Sequence, residues 1–271
     1  MIGGSRPARL RLPASYDPSK AYPLVVMLHA LANTQRVEFA KAFVGLREVV
    51  DTKKFVLLEP DGTRNIDNRF WNATPACCGT HDSHGNEVDD VAYLTRLITE
   101  AKGSASIDPR QIYVLGHSNG GFMAYRLACD RAWLVSAIVS LAGAATVEPT
   151  RCSPSQPVSV LHIHGNADET IFYSGGKTDP NDLRTAYPGA RESVDQWAAH
   201  AGCLGKRVPQ PDRLDLDKKV PGEETTVEIV DGCPKRIGIE LWTMKRNGNV
   251  PDLSSGNFAN ETVQWLLNHG R

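Results

Sequence analysis

The chain alternates short runs of apolar residues with longer stretches in which apolar residues recur at helical spacing. Continuous Val, Ile and Leu runs are typical of parallel strands that are covered on both faces. The pattern predicts seven strands, at Ala8–Pro13, Leu24–His29, Phe55–Glu59, Gln111–Leu115, Val135–Leu141, Val158–His164 and Ile237–Met244. It predicts five helices, at Glu38–Val50, Val88–Ala101, Gly120–Cys129, Arg191–Ala201 and Ala259–Leu267. This alternation predicts an α/β fold with a mostly parallel central sheet flanked by helices.

Three polar stretches rich in Pro and Gly interrupt the alternation, at Pro60–Gly85, Tyr173–Gly189 and Gly205–Glu224. We interpret them as loops and insertions around the rim of the sheet. Such loops commonly carry the ligand site of an open α/β sheet. The length of 271 residues is normal for one α/β domain, so we expect a single domain over residues 1–271.

The charge and hydropathy of the chain argue against some classes of binding partner. The formal net charge is −1, and acidic and basic residues are mixed along the chain. This balance argues against a nucleic-acid or anionic-membrane partner. No apolar run approaches the roughly 18 residues that a membrane-spanning helix needs. The sequence also carries no nucleotide, haem or metal motif, so we expect no cofactor and no metal site.

Six cysteines form an even set without metal-like spacing, Cys77, Cys78, Cys129, Cys152, Cys203 and Cys233. Such a set favours disulfides in an oxidising compartment, and hence a secreted or periplasmic protein whose signal peptide has been removed. Cys203 and Cys233 bracket a polar stretch and are the best candidates for one pair. Two alternatives stay open, namely six buried free thiols and a metal pair at the adjacent Cys77 and Cys78.

A candidate nucleophile follows the predicted strand that ends at Leu115. The segment Gly116-His117-Ser118-Asn119-Gly120 fits the pattern G-x-S-x-G between a strand and a helix, which is the setting of a nucleophile elbow. Glycine on both sides lets the backbone approach closely. The Asn119 N–H would then point to where an oxyanion forms. We expect His117 to pack in the elbow and to point away from the serine. The competing interpretation is a tight turn with a capping serine.

The acid and the rest of the oxyanion hole are predicted from strand ends. Asp168 follows the strand Val158–His164, where the order nucleophile, acid, histidine that accompanies this elbow places the acid. Its role would be to orient an imidazole. The alternatives are an Asx turn at Asp168 and Asp90 as the acid. The loop after Leu24–His29 would supply the second oxyanion donor, for which we select the Leu31 N–H.

Several motifs together resemble one known family. They are Arg6-Pro7, Tyr16-Asp17-Pro18, Tyr22-Pro23-Leu24, Pro60-Asp61-Gly62, Trp71-Asn72-Ala73, Cys77-Cys78, Asp89-Asp90-Val91, Gly116 to Met123 and His164 to Asp168. In this order the chain resembles the secreted polyhydroxybutyrate depolymerase and feruloyl esterase-like branch of the α/β hydrolases. The resemblance implies the α/β-hydrolase fold, a serine carboxylic-ester hydrolase acting on polyesters or aromatic esters, Ser118 as nucleophile and Asp168 as acid. Trp71 would lie near the acyl pocket as a substrate-binding residue, or alternatively in the core.

The chain departs from this family where the catalytic histidine should stand. The family has a glycine-rich segment ending in histidine, followed by a pair such as Val-Pro. Here Leu241-Trp242-Thr243 and Val250-Pro251 bracket that segment and put Asn249 in the histidine position. A carboxamide has no basic site near neutral pH and cannot take the serine proton. Ala30 also replaces a family glycine in the oxyanion loop.

No other histidine is an obvious substitute for the missing base. After Asp168 only His200 and His269 remain; His200 lies in a predicted helix, and His269 lies at the end of the last one. His81 and His84 lie in a loop and read more simply as solvated residues.

We therefore expect a serine carboxylic-ester hydrolase that is weak or inactive as written, with an ester or polyester substrate. The alternative is a non-catalytic binding protein that retains the esterase cleft. A third possibility, acyl transfer on the same elbow, has no distinguishing sequence feature.

Overall fold

A twisted sheet forms the centre of the molecule, and the computed structural model describes residues 1–271. The strands are β1 (Arg9–Arg11), β2 (Tyr22–Leu28), β3 (Ala32–Asn33), β4 (Val56–Glu59), β5 (Thr63–Arg64), β6 (Asn68–Phe70), β7 (Ile107–His117), β8 (Ala137–Leu141), β9 (Ser159–Gly165), β10 (Gly175–Lys177), β11 (Ala186–Pro188), β12 (Arg207–Leu214), β13 (Thr225–Val230) and β14 (Ile239–Met244). The helices are α1 (Val37–Ala42), α2 (Leu46–Lys53), α3 (Asp90–Ser104), α4 (Asn119–Asp130), α5 (Ala190–Ala201) and α6 (Asn257–Asn268).

Nine strands form the central sheet, in the order β1-β4-β2-β7-β8-β9-β14-β13-β12. The six strands from β4 to β14 in this order are parallel, whereas β1, β13 and β12 pair antiparallel at the two edges. The remaining strands form two small sheets near the rim. The predicted α/β fold with a mostly parallel sheet is therefore confirmed. The parallel arrangement brings the carboxyl ends of β2, β7, β9 and β14 to one edge of the sheet.

Helices cover both faces of the sheet. Along β2, Leu24, Val26 and Leu28 join the hydrophobic cluster under α3, α4 and α5, while Val25 and Met27 join the cluster under α2 and α6. This division follows from the alternation of side chains along a strand. Both faces of the central strands are thus buried, which explains why they read as continuous apolar runs.

The predicted helix Glu38–Val50 is two helices in the structure. Helix α1 ends at Ala42, and α2 begins at Leu46. Gly45 lies between them with φ of 71°, a left-handed conformation that glycine adopts without the penalty of a side chain. The break allows α1 to lie against β3, beside the loop that follows β2.

The polar stretch Gly205–Glu224, predicted as an insertion, contains an edge strand instead. Strand β12 pairs antiparallel with β13, and the register shifts between Pro209 and Arg213. Most side chains of β12 are exposed, and two prolines interrupt its hydrogen-bonding capacity. Prolines are tolerated at a sheet edge because the outer N–H groups have no partner there. Because of this composition, the hydrophobic pattern did not predict the strand.

All six cysteines are paired, so the free-thiol alternative is wrong. Cys203 is bonded to Cys233, as predicted, with 3.9 Å between the two Cα atoms. Cys129 is bonded to Cys152 and ties the end of α4 to the segment before β9. Cys77 is bonded to Cys78, which excludes a free thiol pair at that position. None of the helices combines the length and apolar character required to cross a membrane.

Candidate active site

Ser118 lies in the sharp turn between β7 and α4. Its φ of 52° and ψ of −117° place a non-glycine residue in a strained region of backbone space. The turn closes only because two neighbours are glycine: a Cβ on Gly116 would collide with the carbonyl of Gly120, and a Cβ on Gly120 would collide with the carbonyl of Leu28. Ser118 is 8% exposed, and its hydroxyl makes no hydrogen bond to a protein group. The geometry is that of a nucleophile elbow.

Asp168 lies in the turn after β9, at the same edge of the sheet. Its Oδ1 accepts hydrogen bonds from the main-chain N–H groups of Thr170 at 2.8 Å and Ile171 at 2.9 Å. Burial opposes the charged form, but hydrogen bonds from His164, Asn249 and these two N–H groups outweigh it and lower the pKa of the Asp168 carboxyl. The predicted acid is therefore a buried carboxylate held in its ionised form.

The loop after β14 brings Asn249 to this carboxylate. Asn249 Nδ2 donates a hydrogen bond to Asp168 Oδ2 at 3.0 Å. Two further bonds tie the loop to the turn that carries the acid: Ala167 N–H donates to Asn247 O at 2.9 Å, and Arg246 N–H donates to Asn166 Oδ1 at 2.8 Å. The structure thus places the Asn249 amide against the Asp168 carboxylate.

His117 holds the same loop from the opposite side. Its Nε2 lies 2.8 Å from the carbonyl of Asn249, which can only accept, so Nε2 carries the proton and donates. Burial lowers the pKa of His117 to about 4, which keeps the ring neutral near pH 7. The ring also packs on Phe43, with 4.8 Å between centroids. The sequence pattern indicated a packing role for His117 but gave no sign of its bond to Asn249.

The two predicted oxyanion donors flank the elbow. Asn119 is the first residue of α4, so its main-chain N–H has no partner within the helix. Leu31 follows β2 and is 44% exposed. His29 shapes the turn that leads to it, because Nδ1 lies 2.6 Å from Ala30 O and Nε2 accepts from Gly62 N–H at 2.9 Å. Burial lowers the pKa of His29 to about 4, in keeping with this neutral, fully bonded ring.

Comparison with known proteins agrees with this architecture. A family model described as phospholipase/carboxylesterase matches residues 80–203. The acetyl xylan esterase from Aspergillus awamori superimposes over 96% of this chain and 93% of its own, with a TM-score of 0.62 and 14% sequence identity. The chain has the α/β-hydrolase fold.

Sequence relatives of this α/β hydrolase are also named as esterases. Feruloyl esterase B from Piromyces equi is 23% identical over 245 residues, covering 89% of this chain and 42% of the relative. The putative esterase NocK from Nocardia uniformis is 29% identical over 183 residues, covering 67% of this chain and 51% of the relative. The chain spans about half the length of each of these two proteins.

Trp71 lies in the hydrophobic core, where its side chain is 0% exposed. Its role in substrate binding stays a prediction. Its Nε1 donates to His29 O at 2.9 Å, and its main-chain N–H donates to Asn119 Oδ1 at 2.7 Å. The Asn119 side chain returns a bond to Trp71 O at 3.0 Å. Trp71 therefore links the end of β2 to the start of α4 through its hydrogen bonds to His29 and Asn119.

His164 is the histidine in contact with the candidate acid, with Nε2 3.3 Å from Asp168 Oδ2. His269 bonds to Trp265 O at the end of α6, and His200 packs edge-on against Trp197 in α5. His81 and His84 are exposed loop residues, as the simpler interpretation expected. None of these four residues is hydrogen-bonded to Asp168.

An apolar groove opens beside the elbow. It encloses about 630 Å³ between the loop after β2, helix α1 and the loop after β14. Leu31, Phe39, Phe43 and Val250 supply most of its apolar surface, and His117 forms part of its floor. The groove reaches the elbow through His117, the residue before Ser118, which is one of its lining residues.

Proposed function

We propose that this α/β hydrolase is a serine carboxylic-ester hydrolase whose turnover is very slow because the triad histidine is replaced by Asn249. One observation carries the proposal: the Asn249 amide donates to the buried carboxylate of Asp168 at 3.0 Å. The elbow, the acid and the oxyanion donors of an esterase are thus retained around a side chain that cannot accept a proton.

The residues of the site support stabilisation of an oxyanion during ester hydrolysis, but they do not support transfer of the serine proton. An ester carbonyl in the groove would lie against the Ser118 hydroxyl, and the N–H groups of Leu31 and Asn119 would stabilise the oxyanion. Attack by serine requires transfer of its proton to a base, which a carboxamide cannot provide. Loss of one triad member lowers turnover by about 10⁴ to 10⁶ and leaves residual catalysis from the oxyanion hole.

Aromatic or acetyl esters attached to polysaccharide are the substrates that we propose. Relatives are named as feruloyl esterases, and the structural neighbour is named as an acetyl xylan esterase. The groove carries two phenylalanine rings, which suit a flat aromatic acyl group. A hydroxyalkanoate polyester is the other substrate class that the sequence resemblance implies.

The cysteines bear on the cellular location of the protein. Three disulfides form readily only in an oxidising compartment, so we propose a secreted or periplasmic location. We further take residues 1–271 as one catalytic domain, because β1 near the start and α6 near the end both belong to the layers around the central sheet.

A second candidate function is ester binding without turnover. The bond between Asn249 and Asp168 favours it, since the amide donates to the carboxylate and offers the serine no proton acceptor. In this case the groove binds an ester or its acid, and Ser118 contributes contacts alone.

Hydrolysis of p-nitrophenyl acetate and of a feruloyl ester distinguishes the two candidates. We expect weak hydrolysis that is abolished by Ser118→Ala, and a gain in kcat/KM of about 10³-fold or more in Asn249→His. The double variant Ser118→Ala with Asn249→His is the matched control and should lose that gain. Binding with no turnover in Asn249→His would exclude the esterase proposal.

A further inference from the structure

A buried row of side chains joins α4 to the candidate acid. Tyr125 Oη lies 2.8 Å from His162 Nδ1, and His162 Nε2 lies 3.1 Å from His164 Nδ1. His164 Nε2 lies 2.8 Å from Ile171 O and 3.3 Å from Asp168 Oδ2. His162 and His164 alternate along β9 and point to the same face, so one strand carries both links.

The proton positions in this row follow from its last acceptor. The carbonyl of Ile171 can only accept, so His164 Nε2 carries a proton, and with the ring neutral Nδ1 is an acceptor. His162 therefore donates through Nε2 and accepts at Nδ1. The hydroxyl of Tyr125 is then the donor to His162. Every hydrogen bond in the row points from α4 toward the turn that carries the acid.

The whole row is buried. Tyr125, His162 and His164 are each at most 3% exposed. Burial and the neighbouring His164 lower the pKa of His162 well below its usual range, and burial raises the pKa of the Tyr125 hydroxyl. A proton added to either imidazole would break a bond in the row, because each ring already uses one nitrogen as an acceptor.

The row ends with two contacts of His164 to the Asp168 turn, one to the Ile171 carbonyl and one to the Asp168 carboxylate. Ile171 accepts from His164 through its carbonyl and donates through its N–H to Asp168 Oδ1 at 2.9 Å. The His164 N–H is shared unequally, with its shorter contact to Ile171 and its longer one to the carboxylate. The position of the carboxylate thus depends on a turn that the row holds in place.

We propose that Tyr125, His162 and His164 are positioning residues that fix the Asp168 carboxylate for a partner at position 249. The proposal rests on the proposed function only in the role given to Asp168. The three residues touch neither the Ser118 hydroxyl nor the Asn249 amide, so they act through the acid alone.

Nitrogen NMR of the ¹⁵N-histidine-labelled, otherwise unaltered chain tests the proton positions directly. At neutral pH we expect both His162 and His164 as neutral rings protonated at Nε2. A ring protonated at Nδ1, or a cationic ring, at either position would overturn the proposal. This measurement needs no turnover and is independent of the proposed function.

Kinetics in the Asn249→His background test the consequence. Tyr125→Phe removes the first donor, and Tyr113→Phe is the matched control because its buried hydroxyl has no partner. We expect Tyr125→Phe to lower kcat by about threefold to tenfold, the value of one neutral hydrogen bond, with KM unchanged. Equal effects of the two variants would overturn the proposal.

A second readout separates this proposal from the proposed function. The pKa of the imidazole introduced by Asn249→His, followed by NMR, reports how well the carboxylate is held against it. We expect Tyr125→Phe to lower that pKa and Tyr113→Phe to leave it unchanged. Absence of Ser118-dependent turnover in Asn249→His would defeat the esterase proposal alone, and an identical imidazole pKa in all three proteins would defeat the positioning proposal.

Discussion

The elbow and the loop after β14 meet at one edge of the sheet but are built in different ways. The elbow depends on backbone geometry: Gly116 and Gly120 leave no room for a side chain, and Ser118 takes a strained conformation between them. The loop after β14 is fixed by hydrogen bonds to the acid turn and to His117, and its chemistry depends on the single side chain of Asn249. The position of a nucleophile and its activation are therefore separable properties of the fold.

The contrast predicts that the acid matters for catalysis only when a base is present. In the Asn249→His background, Asp168→Asn should lower kcat by about 10⁴, because the imidazole loses its orienting carboxylate. In the unaltered chain the same change should leave the weak hydrolysis within severalfold. Steady-state kinetics of the four proteins measure this, and an equal loss in both backgrounds would show that Asn249 is not at the base position.

The second prediction concerns the space available for a side chain in the elbow and in the loop after β14. Gly120→Ala forces a Cβ against the carbonyl of Leu28, so we expect a loss of about 1–3 kcal/mol in the free energy of unfolding. Gly248→Ala is the matched control, because a Cβ there meets nothing closer than Ala167 O at 3.9 Å. Urea denaturation measures both, and similar losses would contradict the difference between elbow and loop.

A smaller effect is expected at the bond that ties the loop to the elbow. His117→Phe removes the donor to Asn249 O but keeps an aromatic ring against Phe43. We expect a loss of about 1 kcal/mol in unfolding free energy, the value of one buried neutral bond. His84→Phe, in an exposed loop, serves as the control, and equal values for the two variants would argue that the bond is unimportant.

The smallest expected effect concerns pH. The pKa of Asp168 is lower in the folded chain than its ordinary value near 3.9, so its ionised form stabilises the fold above that value. This contribution is lost as the pH falls through the folded pKa. Unfolding curves of the unaltered chain and Asp168→Asn should therefore converge in acid. A difference between them that does not vary from pH 7 to acid would refute the ionised assignment.

The sequence pattern predicted the parts of the fold that depend on burial of the strands and on close backbone contacts at glycine. The parallel strands were visible because both of their faces are buried, and the elbow was visible because its glycines are required by close backbone contacts. The segment Gly205–Glu224 was misread because an edge strand with prolines has neither apolar alternation nor an unbroken hydrogen-bonding pattern. The break at Gly45 was missed because the apolar spacing continues through it.

The site was less accessible from the sequence than the fold. Asn249 was located by the residues that bracket it, but its bond to Asp168 depends on how two loops meet. The family resemblance placed Trp71 near the acyl pocket, with a core position as the alternative, and its ring is buried in the structure. The row from Tyr125 to His164 joins a helix to a strand, and no sequence spacing reveals such a contact.

The hydrogen bond between Asn249 and Asp168 also bears on how this site can change over generations. Codons for asparagine and histidine differ only in their first base, so a single base substitution restores an imidazole at this position. The amide lies against the carboxylate at 3.0 Å. On the function proposed above, the chain is therefore one base substitution from a complete triad.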